Sequence, residues 1–285
     1  MKIPKTCWAG IDMGSTLQKI VWKEEGKGGA YSFASSADKP LAEILEGLKK
    51  KGIVQFYAVG TGTCSEICSG ITETRDNADT LTENPIDKEI ILQANGALEI
   101  MAMDMRRLGL LDVPEEFLLV SIGTGISYTF VTKNSTEHFP IGSALGGGFI
   151  HGMKNILGLT WKELATCQNK TLDLLIKDKI LSLANTPLGE RPIAHFGKAT
   201  EYSSKEELSA SLLSMVATVL AKDILLQGMI RAVPDHIVYI GTPISRLPSL
   251  QVIVSNWTQT LGKTPYFPKH GEYALAMGAY MEATQ

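Results

Sequence analysis

The chain has 285 residues, 44% of them hydrophobic and 20% charged, and a formal net charge of −3. That length suffices for two hydrophobic cores, so two α/β lobes with a cleft between them are expected. The weak charge gives no electrostatic footprint for nucleic acid or an acidic membrane, which leaves a small molecule as the expected partner. Cys7, Cys64, Cys68 and Cys167 form no Cys-x-x-Cys pair, a usage that suits a reducing, cytoplasmic compartment. Cys64 and Cys68 are spaced to share a helical face, but no His or Cys stands at metal-ligand spacing, and they are assigned no chemistry. The apolar run that ends at Asp12 is too short for a signal peptide or a membrane span, so a soluble, unprocessed protein is expected.

Residues 6–12, 17–23 and 30–34 are apolar runs bounded by glycine or charge, which predicts a three-strand meander. Leu41, Ile44, Leu45 and Leu48 recur at helical spacing before Gly52, and residues 54–59 read as the next strand. A long helix is predicted over 85–108. Pro85 suits its first turn, and Ile86, Ile90, Ala94, Ala97, Met101 and Met105 form one apolar stripe.

At Phe117 the opening order of strand, glycine turn and strand repeats over 117–122 and 126–132. Residues 139–152 are rich in glycine and lead into a helix carrying Ile150, Met153, Ile156 and Leu157. Polar helical and loop-like sequence over 160–204 reads as an insertion, within a helical stretch of about 153–235. A second long helix is predicted over 208–230, whose apolar face serves either a core or a subunit contact, then a strand over 237–240 ending in Gly241. A last strand around 265–267 and a helix from Glu272 close the chain. The expected division is 1–115 for the first lobe and 116–269 for the second, with 270–285 packing on the first or closing the second.

Two turns carry the chemistry, one holding Gly14, Ser15 and Thr16 and the other Gly123, Thr124 and Gly125. Glycine lets backbone approach a ligand, so successive N–H groups can point at an anion, and a neighbouring hydroxyl adds a donor. Asp12 beside the first turn would repel a phosphate unless a cation stood between them, which implies Mg²⁺. Either turn alone reads equally as an ordinary hairpin loop. Matched copies after matched strands point to nucleotide phosphates.

This order resembles the actin, hexokinase and sugar kinase superfamily. Within it, residues 10–19, 122–127, 142–148, 238–241 and 270–279 are similar to the type II, eukaryotic-like pantothenate kinases. The resemblance implies a two-lobed actin-like (ribonuclease H-like) ATPase fold, ATP-dependent phosphorylation of the primary hydroxyl of pantothenate, and a homodimer. By position it implies that Asp12 holds Mg²⁺ and that Gly14, Ser15, Thr16, Gly123, Thr124 and Gly125 hold phosphates. Gly146, Gly147 and Gly148, with Gly241, fall on the adenosine side, and Lys19 matches the family's lysine. The family's catalytic glutamate precedes a helix glycine by seven positions, and Glu89 stands so before Gly96. Alone, a glutamate near a helix start is ordinary dipole placement.

Two departures fall on the acceptor side. The family's Glu-x-Asp is Glu89-Ile90-Ile91 here, and its arginine three positions before Gly142 falls on Phe139. Losing that planar fork costs about 1.5–3 kcal/mol of substrate or transition-state binding, and His138 cannot replace it. Ser127 keeps the family's serine, and Tyr266 or Phe267 is placed to supply an aromatic wall beside the substrate. The alternatives are a kinase for an uncharged acceptor such as pantetheine, a regulatory ATP- or coenzyme A-binding paralogue, or an activator of acyl-CoA dehydratases. The last shares the fold but uses cluster-bridging cysteines that Cys64 and Cys68 do not match.

Overall fold

The computed structural model describes residues 7–24, 30–60, 85–109, 113–168 and 170–285. Cys64 and Cys68 lie outside them, as do the first six residues and the side chain of Ile86. The chain forms two compact units, one of residues 1–120, 128–140 and 268–285, the other of 121–127 and 141–267.

In the first unit, β1 (Trp8–Met13), β2 (Gln18–Lys23) and β3 (Tyr31–Ser35) form the antiparallel meander. Helix α1 (Leu41–Lys50) then crosses over to β4 (Gln55–Val59), which lies parallel to β1, giving the order β3-β2-β1-β4. The side chains of α1 that are buried are Leu41, Ile44, Leu45 and Leu48, the four its periodicity marks. They pack with Ala9, Ile11, Ile20, Ile53 and Phe56 into one core.

Helix α2 (Pro85–Leu108) runs over the length its sequence predicts. It packs closely against the C-terminal helix α8 (Ala274–Ala283), because each helix has a glycine, Gly96 and Gly278, at the closest approach. A Cβ at Gly96 would overlap Ala274 O, and one at Gly278 would overlap Leu92 O. Gly10 lies inside β1, where a Cβ would overlap Ala276 O and Tyr280 N of α8. The predicted start of the last helix at Glu272 is a 3-10 turn over Gly271–Tyr273, and α8 begins at Ala274.

Strands β5 (Glu116–Ile122), β6 (Ile126–Thr132), β7 (Thr136–His138), β10 (His236–Ile240) and β11 (Thr264–Tyr266) form a second sheet in the order β11-β10-β5-β6-β7. In the second unit, α3 (Gly147–Ile156) and α4 (Trp161–Thr166) precede a small ladder of β8 (Leu174–Leu175) and β9 (Pro192–Ala194). Helix α3 departs from its predicted apolar stripe: Ile150 is buried, but Ile156 is 78% exposed.

The long helix α5 (Lys205–Ile230) is started by a reciprocal cap: Ser204 Oγ accepts from Glu207 N at 3.2 Å, and Ser204 N donates to Glu207 Oε2 at 3.1 Å. Length and composition would let it cross a membrane, yet Ser209, Ala210, Leu212, Leu213, Val216, Ala217 and Leu220 are all buried. Residues 209–221 thus form the core of the helix, while Leu226, Met229 and Ile230 at its end are exposed. Helices α6 (Thr242–Arg246) and α7 (Pro248–Thr260) follow β10, each opened by proline in its first turn.

Candidate active site

In the first unit the site starts from the register of β1 and β2, which sets Asp12 opposite Lys19. Their side chains meet across the strands, Lys19 Nζ lying 3.0 Å from Asp12 Oδ2. Asp12 is only 7% exposed, and burial pushes its carboxyl above the ordinary carboxylate range, outweighing the charge and hydrogen bond of Lys19. The turn after β1 exposes Ser15 and Thr16, and Gln18 Nε2 donates to Gly14 O at 3.4 Å. A Cβ at Gly14 would press on Leu17 O at 2.7 Å, so this turn requires glycine for space.

Glu89 is half-buried near the start of α2. Burial pushes its carboxyl up, and the negative charge of Asp12 pushes it further, so the two carboxylates lie within electrostatic reach of each other. Ile91 on the same helix is 45% exposed. Among the described residues no group of three or more His, Cys, Asp or Glu side chains gathers to hold a metal. Mg²⁺ is commonly held by one or two carboxylates plus substrate phosphates, a requirement that Asp12 fits.

In the second unit the two glycine segments form one surface. Gly147 N donates to Gly123 O at 2.7 Å and Gly148 N to Thr124 O at 2.9 Å. A Cβ at Gly146 would lie 2.6 Å from Gly125 C, so the backbones touch. Residues 123–125 are exposed. The two amides of Gly147 and Gly148 that open α3 are thus satisfied by the turn. Gly241 has φ +111°, and a Cβ there would overlap Ile122 O, so both conformation and space require glycine. A Cβ at Gly147 would lie 2.8 Å from Pro243 Cγ, which brings the Gly241 turn against the same surface.

The acceptor-side residues fall in both units. Ser127 is half-buried on β6, and a Cβ at Gly142 would overlap Ile126 O just before it. In the first unit Phe139 N donates to Tyr128 O at 2.9 Å, and the Phe139 ring lies 6.3 Å from that of buried Phe130. Tyr266 is half-buried opposite Val238, whereas Phe267 stacks on Tyr239 at 5.3 Å.

Two buried carboxylates escape the motif reading. Asp104, 7% exposed, accepts from Lys269 N at 2.6 Å and from Arg107 at 3.3 Å, which ties the segment before α8 to α2. It falls three residues after Met101 on the otherwise apolar stripe of α2, and that interruption was its available signal. Asp173, 1% exposed, accepts from Ser214 Oγ at 2.7 Å and Phe196 N at 3.1 Å. Its burial is outweighed by hydrogen bonds from His195, Ser214 and Phe196, which hold the carboxyl below its usual range. It anchors the polar 160–204 segment to α5, and nothing in its local pattern marks it.

The chain is 25% identical over 284 residues to a curated type II pantothenate kinase of Bacillus thuringiensis subsp. konkukian, covering 96% of this chain and 97% of that protein. It is 28% identical to one from Bacillus cereus strain G9842, covering 97% and 98%. Among solved structures, the activator of the 2-hydroxyisocaproyl-CoA dehydratase from Clostridium difficile, with bound ADPNP, superposes with a TM-score of 0.60 at 18% identity over 97% of this chain and 93% of that one. At that identity the likeness speaks to the fold alone, the actin-like ATPase fold. The family model described as Fumble matches residues 110–282, more than half of the sequence, and the chain belongs to the Fumble family.

Proposed function

We propose that the protein transfers the γ-phosphoryl group of ATP to the primary hydroxyl of pantothenate, the first step toward coenzyme A. Membership of the Fumble family and whole-length likeness to curated type II pantothenate kinases support this reading. The observation that carries the chemistry is Glu89, a half-buried carboxylate pushed up by burial and by Asp12. Such a group is a better base than an exposed glutamate. It accepts the hydroxyl proton as the hydroxyl oxygen attacks the γ-phosphorus, the bond to the bridging oxygen breaks, and ADP leaves. Phosphoryl transfer asks little covalent chemistry of a protein, so orientation and charge carry most of the rate.

Lys19 holds Asp12 in place through their 3.0 Å pair. Asp12 is the residue that would hold Mg²⁺, which supplies charge neutralisation at the phosphates when bound. Gly14, Ser15 and Thr16, with residues 123–125, are the proposed phosphate holders. Gly146, Gly147, Gly148 and Gly241 shape the adenosine side. A cytoplasmic homodimer belongs to the same reading.

Phe139 favours a second acceptor. Its ring is engaged with Phe130 and it presents no cation, which suits an acceptor without a carboxylate, such as pantetheine. Radiolabelled ATP offered with pantothenate and with pantetheine tests both, with Glu89→Gln beside the parent. Labelled product from either alcohol, lost in Glu89→Gln, supports the proposal. No product above the Glu89→Gln control with either one overturns it.

A further inference from the structure

The first glycine turn is held at its ends by backbone and at its middle by one side chain. Met13 and Gln18 are the last pair in the register of β1 and β2, so the loop between them runs from Gly14 to Leu17. On the entry side lies Gly60, at φ +118°, where a Cβ would press on Met13 O at 2.9 Å. On the exit side Ser36 grips the backbone of Gln18 twice: Gln18 N donates to Ser36 Oγ at 2.9 Å, and Ser36 N donates to Gln18 O at 2.9 Å.

Inside the loop, the Gly14–Ser15 peptide is the one whose direction matters to an anion. In a planar trans peptide the C=O and the following N–H point opposite ways, so the direction of Gly14 O sets that of Ser15 N–H. Glycine does not fix this direction by itself, because without a Cβ it rotates more freely than other residues. The neighbourhood makes the wrong direction costly. Asp12 Oδ1 lies only 3.6 Å from where a Gly14 Cβ would stand. A carbonyl turned outward there would add its partial negative charge to that of the carboxylate, whereas an outward N–H favours an anion.

Gln18 supplies the missing restraint. Its Nε2 donates to Gly14 O at 3.4 Å. A carbonyl oxygen only accepts, so the NH2 end of the amide is the end that faces it. We infer that Gln18 is a positioning residue of the phosphate turn: by holding Gly14 O, it keeps Ser15 N–H turned toward the nucleotide phosphates. The inference rests on the reading that this turn holds those phosphates. A restraint of this kind acts on affinity through the fraction of molecules whose peptide points the right way. The contact is a single neutral hydrogen bond, so its removal should weaken anion binding by about two- to tenfold.

The sequence allows this one peptide to be watched. Gly-Ser occurs only at 14–15 and 142–143, so labelling glycine at its carbonyl carbon and serine at its nitrogen selects the amides of Ser15 and Ser143 in the magnetic resonance spectrum. Ser143 N donates to Ile126 O at 3.0 Å and serves as the internal reference. With Mg²⁺ present throughout, tripolyphosphate is expected to move the Ser15 signal of the wild-type protein and to leave Ser143 in place. In ligand-free Gln18→Leu the Gly14 carbonyl signal should shift as its bond is lost, with that of Gly142 unchanged. Affinities of Gln18→Leu for tripolyphosphate and ATP, read by calorimetry, should fall together by about two- to tenfold, with adenosine binding as in wild type. Gln18→Glu, which keeps the shape and sets a carboxylate against Gly14 O, should fall further.

Wild-type tripolyphosphate affinity in Gln18→Leu, equal weakening of adenosine and tripolyphosphate, or a wild-type Ser15 signal unmoved by tripolyphosphate would overturn the assignment. These readouts need no acceptor, so the two readings separate. A Ser15 response that depends on Gln18, in a protein that phosphorylates no alcohol, supports the positioning role against the proposed reaction. Unchanged KM for ATP in an active Gln18→Leu enzyme does the reverse.

Discussion

Replacing Glu89 by glutamine separates catalysis from folding, because the environment that makes this carboxylate a base also makes its charge costly. Burial and the Asp12 charge both raise its pKa above the ordinary glutamate value of 4.5. Below that value the side chain is protonated in both folded and unfolded chains, and stability is at its fullest. As pH rises through the higher folded-state value, the unfolded chain ionises freely while the folded one resists, so this contribution is lost. Glutamine keeps the shape and has no charge to bury. Glu89→Gln should therefore be at least as stable as wild type at neutral pH, with its relative advantage growing as pH rises from about 4 toward 7. Loss of general-base assistance should lower kcat by about 10²–10⁴ with a small change in KM for ATP. Thermal melts across that pH range and ADP release with acceptor present check the two halves. A variant that melts below wild type at pH 7, or one that keeps more than about a tenth of kcat, would refute the reasoning.

Lys19→Met leaves buried Asp12 without its partner 3.0 Å away. Denaturant melts at pH 7 should show a loss of about 3–5 kcal/mol, the cost of breaking a buried pair from one side. Gly241→Ala must fit a Cβ against Ile122 O at φ +111°. It is expected to cost about 1–3 kcal/mol of stability and to raise KM for ATP, both read on one preparation. Phe139→Arg should shift the ratio of kcat/KM toward pantothenate over pantetheine by about tenfold, the value of one charge-assisted contact. An unchanged ratio would end the argument from Phe139.

Elements governed by local periodicity were readable. The buried face of α1 is the Leu41, Ile44, Leu45 and Leu48 stripe, and α2 spans Pro85–Leu108, the range its sequence predicts. Glu89 was found differently: its spacing to Gly96 within a family resemblance singled it out, and only the fold shows the burial that makes it chemically distinctive. What escaped depends on contacts between distant segments. Gly10 and Gly96 serve the close approach of α8, a helix far along the chain. The first amides of α3 are taken by Gly123 and Thr124, which a glycine-rich stretch cannot announce. Ile156 continues a helical apolar pattern in sequence yet is exposed, since a period locates a face without saying whether anything covers it.

The most direct test of the proposed reaction is acceptor-dependent turnover of Mg²⁺-ATP by the purified protein, with the phosphorylated alcohol identified by mass spectrometry. A pantothenate-like alcohol carrying one added phosphoryl group, formed together with ADP by wild type and abolished in Glu89→Gln, is the predicted result. ATP binding with no ADP release above the Glu89→Gln control, in the presence of pantothenate or pantetheine, would contradict it.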